Sequence, residues 1–203
     1  MARPALIATL SPRRVLVGLA ALAMTATAAA ADTISWKTVG GWDISFYPNS
    51  AGCQAFAEFE EGTLFFIGFD NDNARGVLAL DVTMMDRRWG SIENGKEYPI
   101  KLTFGDESPW TLNMDGIVVE GFPGLNIMID ASSDEARLFI EEFQRETRMA
   151  WAYGTASLGR YTLRGSRRAF DQVFACQRSY LDAMSSQSDP FAGSGPKSDP
   201  FAN

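Results

Sequence analysis

From Asp32 to about Arg148, apolar and polar residues alternate in short runs separated by turn formers. Trp42-Asp43-Ile44-Ser45-Phe46-Tyr47 repeats every two residues, which points one row of side chains into a core and the other toward water. Pro48-Asn49-Ser50 ends that strand. Ala55, Ala57 and Phe59 alternate with Phe56 and Glu58, and Glu60-Glu61-Gly62 then turns into Thr63-Leu64-Phe65-Phe66-Ile67-Gly68-Phe69, a hairpin. Asp70-Asn71-Asp72-Asn73 is a polar loop ahead of a strand over Val77 to Met84. Glu93-Asn94-Gly95-Lys96 carries the Asn-Gly pair favoured in type I′ turns, ahead of Tyr98 to Phe104. Trp110 to Met114, Gly116 to Glu120 and Gly124 to Ile129 continue the meander. Turns at this spacing predict an antiparallel sandwich or barrel.

Two stretches switch to the helical period. Ser132-x-x-Glu135 reads as a capping box before the one-sided stripe Ala136, Phe139, Ile140, Phe143 and Thr147. Gly165-Ser166 caps a second stripe, Ala169, Phe170, Val173, Phe174, Tyr180, Leu181 and Met184, with Ser166 able to serve as the cap and Cys176 inside the segment. Met149 to Tyr153 and Arg160 to Leu163 read as two strands joined near Gly154. The expected fold is α+β: a β-rich antiparallel sandwich or barrel with two helices packed on it, forming one domain over 32–184.

The ends of the chain read differently. Arg3, Arg13 and Arg14, the apolar run from Val15 to Met24, and Ala29-Ala30-Ala31 have the order of a signal peptide covering 1–31. Its apolar run falls short of the roughly 20 residues a membrane helix needs, so no transmembrane anchor is expected after cleavage. Residues 185–203 are rich in Ser, Gly, Pro and Asp and contain Ser188-Asp189-Pro190-Phe191-Ala192 and again Ser198-Asp199-Pro200-Phe201-Ala202. That composition predicts a disordered tail. Export to the periplasm or beyond, together with two cysteines, predicts a structural Cys53–Cys176 disulfide. Neither cysteine has the C-x-x-C spacing of a redox site.

Charge and composition narrow the chemistry. Cleavage after Ala31 leaves 172 residues with 15 basic and 25 acidic side chains, a net charge of −10. Nucleic acid is therefore not an expected partner, because its phosphates would be repelled. The chain contains no histidine, which rules out Ser-His-Asp and Cys-His catalysis and every His-ligated metal. Two cysteines cannot build a Cys₄ centre, and no cofactor-binding motif is present. The Asp70 loop begins like a calcium loop but has Ala74 and Arg75 where an acceptor and a glycine are required. Asp81 and Asp115, in or beside apolar strands, are the carboxylates a glycosidase-like hydrolase would draw on.

Two features suit binding. Arg164, Arg167 and Arg168 surround Ser166 at the start of the second helix, in a chain that is otherwise acidic. A helix N-terminus ringed by guanidinium groups suits an anionic ligand or an acidic partner. Of the five tryptophans, Trp89 and Trp110 flank loops and are the candidates for an exposed aromatic surface.

The run Tyr161-Thr162-Leu163-Arg164-Gly165-Ser166-x-x-Ala169-Phe170 resembles the terminal segment of exported bacterial proteins of the invasion-associated locus B type. It is also similar to other exported alphaproteobacterial envelope proteins in which a Gly-Ser-x-x-Ala helix carries a cysteine. A looser likeness lies in Trp89-Gly90-Ser91-Ile92-x-x-Gly95-x-x-Tyr98. The resemblance implies a β-rich envelope protein and supplies no catalytic residues. The first expectation is thus a non-enzymatic exported module that binds an envelope protein or ligand. The alternatives are a carboxylate-dependent hydrolase and a secreted effector whose Asp-Pro-Phe repeats resemble a short adaptor-binding motif.

Overall fold

The computed structural model describes residues 33–71 and 76–185. The leader over 1–31, the middle of the polar loop at 72–75 and the duplicated segment of the tail lie outside the described residues. Ten strands form one antiparallel sheet: β1 (Ile34–Val39), β2 (Trp42–Tyr47), β3 (Gly52–Glu58), β4 (Leu64–Asp70), β5 (Ala79–Met85), β6 (Glu97–Phe104), β7 (Trp110–Val119), β8 (Phe122–Asp130), β9 (Arg148–Tyr153) and β10 (Ala156–Thr162). Two helices, α1 (Asp134–Arg145) and α2 (Ser166–Ser185), pack on it.

The strand order is β1-β2-β3-β4-β5-β8-β7-β6-β9-β10. Strands β2 to β5 follow the meander the alternation predicts, and β1, which the alternation does not single out, pairs with β2 at the edge. After β5 the chain departs through residues 86–96, and β8 rather than β6 pairs with β5, from Ala79 opposite Asp130 to Met85 opposite Gly124. Helix α1 then carries the chain from β8 to β9, on the far side of β6. The runs before and after Met114 that looked like two strands are one, β7.

One face of nearly every strand is buried, including Ile44, Ala55, Phe65, Ile67, Leu80, Val82, Met84, Ile100, Leu102 and Met114. Burying one face of a pleated strand selects this alternation, since a one-residue slip would turn the whole row outward. The sheet bends around its own core. Phe65 on β4 meets Trp151 on β9 at 6.1 Å although four strands lie between them in the sheet. Tyr161 on β10 stacks on Phe59 at 4.6 Å. β1 and β10 remain the two ends of the sheet, so it is folded over as in a sandwich and not closed into a barrel. Phe139 and Phe143 from α1, and Phe170 and Val173 from α2, fill the interior.

The helix α2 covers β1, β2 and β3, and Cys176 on it is bonded to Cys53 on β3. Its entry is set by a tight hairpin. Gly40 and Gly41 both have positive φ, the type I′ geometry that suits a two-residue connection. A Cβ on Gly40 would stand 3.2 Å from the Cα of Gly165, so a side chain there would push the hairpin and the turn before α2 slightly apart and would sit at a strained positive φ.

Three local expectations are corrected. The α1 cap is Ser133, whose Oγ accepts the Ala136 N–H at 3.1 Å, so the box read from Ser132 is out by one residue. Ser132 instead bonds back to Asp130. Gly95 has positive φ but Asn94 does not, and Lys96 N–H to Glu93 O (3.2 Å) closes a turn inside a long loop, not a type I′ hairpin. Ser166 is a buried member of the first turn of α2, so the capping position falls to Gly165.

Candidate functional site

The segment from β10 into α2 carries the predicted arginines. Leu163 is buried and its N–H bonds Thr147 O at 2.8 Å, which ties the end of β10 to the start of β9. Leu163 O accepts the Ser166 N–H at 2.9 Å, and Gly165, at a φ of +89°, turns the chain into the helix. Trp42 Nε1 donates to Arg164 O at 3.1 Å and fixes the turn against β2. Because Ser166 and Leu163 point inward, Arg164, Arg167 and Arg168 point out. They line a hollow of about 290 Å³ whose other wall includes Gln144, Arg145 and Glu146. The structure brings the three guanidinium-bearing residues together but withdraws the Ser166 side chain from them.

Of the ten arginines among the described residues, four are ion-paired: Arg88, Arg137, Arg145 and Arg148. Arg87 lies over the Phe122 ring at 4.9 Å. The remaining five, Arg160, Arg164, Arg167, Arg168 and Arg178, all fall on β10 and α2, and none is ion-paired among the described residues. The two helices differ in the same sense. Asp134 and Glu135 occupy the first turn of α1 and Arg145 its last, as the helix dipole favours. The first turn of α2 has no acid and instead carries Arg167 and Arg168. Placing cations at the positive end of a helix works against its stability.

Beside this surface lies a larger cleft of about 710 Å³, between the β3–β4 turn, the β5–β6 loop and β10. Glu58, Glu60, Glu61, Arg88, Trp89 and Arg160 are among its walls. Sequence reasoning missed the group behind it. Asp86, only 1% exposed, accepts Thr63 Oγ1 at 2.7 Å and three bonds from Arg88: its N–H and Nε at 2.9 Å and Nη2 at 2.6 Å. The Arg88 guanidinium holds the Asp86 carboxyl down at about 2, against the desolvation that opposes ionisation. Arg88 also pairs with Glu61. The Tyr161 hydroxyl donates to Leu158 O at 2.7 Å, and burial pushes that phenol up. The only sequence signal for this cluster was Asp-x-Arg after a strand, which many solvated loops share.

The predicted tryptophans are both half-buried. Trp89 walls the cleft. Trp110 packs edge-on against Phe139 at 5.5 Å and donates its Nε1–H to Glu142 at 2.7 Å. The exposed tryptophan is Trp36, 44% accessible on the edge strand β1, where a bulge between Ser35 and Lys37 disrupts the register.

The two candidate carboxylates occupy unlike surroundings. Asp115 is exposed on β7. Asp81 is 8% exposed, on the sheet face opposite the main core, and accepts Gln54 Nε2 at 2.7 Å, Thr83 Oγ1 at 2.8 Å and Asn126 Nδ2 at 2.6 Å. Burial raises its pKa, and the charge of Asp70 adds to the rise, while the three donors pull the other way. Among the described residues no three acids or cysteines are placed to hold a metal ion, and no helix is long and apolar enough to cross a membrane. No protein family, curated protein or solved structure matches this chain.

Proposed function

We propose that this chain is an exported, non-enzymatic binding module that docks an acidic protein or ligand of the cell envelope on the arginines of β10 and α2. The observation that carries this reading is the reversed charge at the N-terminus of α2. Arg164, Arg167 and Arg168 crowd that positive end with no acid in the first turn and no ion pair among the described residues, in a chain that is acidic overall. An arrangement that works against helix stability and has no ion-pair partner among the described residues suits an external anion. The leader-like N-terminus and the disulfide fit an oxidising compartment, the periplasm or the exterior. The likeness of Tyr161–Phe170 to envelope proteins of the locus B type fits the same location.

The test is binding of the mature chain to poly-glutamate and to fractionated envelope proteins over a salt series. Replacing Arg164, Arg167 and Arg168 by Gln should weaken binding by at least about tenfold and flatten its salt dependence. If the triple variant binds as before, the reading fails. Sequencing of exported protein should find Asp32 first; material beginning at Met1 would remove the export argument.

A further inference from the structure

Helices α1 and α2 leave a second, mostly apolar groove of about 580 Å³, which shares Gln144 with the arginine hollow and has Asp134, Arg137 and Glu141 of α1 in its wall. Phe69, Leu78, Ile140, Phe174 and Leu181 give it an apolar lining. Two polar groups face it from α2. Gln177, 4% exposed, gives its Oε1 to the Cys53 N–H at 2.8 Å, while its Nε2 is buried with no acceptor. Arg178, one residue on, has no ion pair among the described residues. The groove therefore offers an apolar pocket, an unused amide donor and a free cation on consecutive residues of one helix.

The sequence contains a complementary segment close by. Ser188-Asp189-Pro190-Phe191-Ala192 and Ser198-Asp199-Pro200-Phe201-Ala202 each place an acid two residues before a large ring, with a proline between. We propose that one copy of this segment docks in the α1–α2 groove of its own chain. Phe191 or Phe201 fills the apolar lining, a backbone carbonyl accepts the Gln177 Nε2–H, and Asp189 or Asp199 meets Arg178. Proline fixes φ before docking, which lowers the entropy lost on ordering. The reach is sufficient. Gln177 lies about 12 Å back along the helix from Ser185, and the six residues to Phe191 span up to about 20 Å. Two copies ten residues apart raise the chance that one is docked at any moment, since either competes for the same site at high effective concentration. The inference is independent of the arginine surface on β10 and the start of α2.

The experiment uses a fluorescent peptide of residues 196–203 and full-length chains, with binding read by anisotropy. A chain carrying Phe191→Ala and Phe201→Ala should bind the peptide at least about tenfold more tightly than the unaltered chain, whose resident copies compete. Both substitutions lie outside the described residues, and circular dichroism checks that the two chains fold alike. Adding Arg178→Glu or Leu181→Asp to that background should weaken binding by about tenfold, and both positions are exposed at the rim. Equal binding to the two chains, no binding to either, or indifference to the rim substitutions overturns the proposal. So does a dimer of the unaltered chain that the double Phe variant abolishes, because the segment would then sit on a second copy.

Discussion

Arginines do opposite work in two parts of this molecule. On α1, the β5–β6 loop and β9 four arginines have acids: Asp134 for Arg137, Asp86 and Glu61 for Arg88, Asp106 for Arg148, and Glu107, Glu141 and Glu146 for Arg145, while Arg87 lies over the Phe122 ring. On β10 and α2 five have no ion pair among the described residues. Asp81 completes the contrast as a buried acid held by neutral donors alone. Charge that the fold uses is matched inside the chain, and charge that the fold leaves unmatched is available to something else.

The contrast depends on α2 staying where it is, so the largest expected effect comes from its staple. Reducing Cys53–Cys176, which are 123 residues apart, should lower stability by about 2–5 kcal/mol, seen as a shift in the denaturant midpoint. Binding to an acidic probe should be lost only as the protein unfolds. Loss of binding with an unchanged midpoint would mean that the bond serves the site directly.

Next comes the matched charge. Asp86→Asn should destabilise by about 2 kcal/mol, because Arg88 and Thr63 lose an ionised acceptor, while binding at the free arginines is unchanged. Its pH signature follows from the sign of the shift. The Asp86 carboxyl is held at about 2 in the fold, below its unfolded value near 4. The stabilisation it gives is therefore full above about pH 4 and disappears as the pH falls toward 2. The variant should lose that part of the acid sensitivity in urea titrations at successive pH values.

The unmatched arginines should behave in the reverse way. The triple Gln variant at 164, 167 and 168 should unfold within about 1 kcal/mol of the unaltered chain, since no internal pair is broken. A greater loss of stability with intact binding would make these arginines part of the fold and end the comparison. The smallest effect is expected for Asp81→Asn. Folding raises the pKa of Asp81, so its contribution is full below the ordinary carboxylate range and is lost as pH rises through the folded value. The pH slope at this site should run opposite to that at Asp86, with the Asn variant gaining on the unaltered chain as pH rises.

The alternation in β2 and β4 and the stripes of α1 and α2 were legible because each records burial of one face at a fixed local period. Errors arose where two neighbours could do the same job. Ser132 and Ser133 can both cap a helix, and the approach of Asp130 decided for Ser133. Trp89 and Trp110 flank loops, but one walls a cleft and the other meets Glu142 from 32 residues away. Of the candidate site, the arginine cluster was readable as composition. That Ser166 turns inward was not, because its position depends on Leu163 bonding to Thr147.

By itself the sequence determined the β-rich α+β class, both helices, the pairing of the only two cysteines, and an acidic chain with a local basic stretch. All of these follow from residue type and local period. Tertiary structure decided that β5 pairs with β8, that Asp86 is buried beneath Arg88, and which arginines remain free. Arg148 and Arg160 are both strand arginines twelve residues apart. The fold brings Asp106 to the first from 42 residues away, whereas the second shares its clefts with Asp106, Glu58, Glu60 and Glu61 yet pairs with no acid among the described residues. Pairing between charges distant in sequence is set by which strands become neighbours, and no local pattern of residues records that.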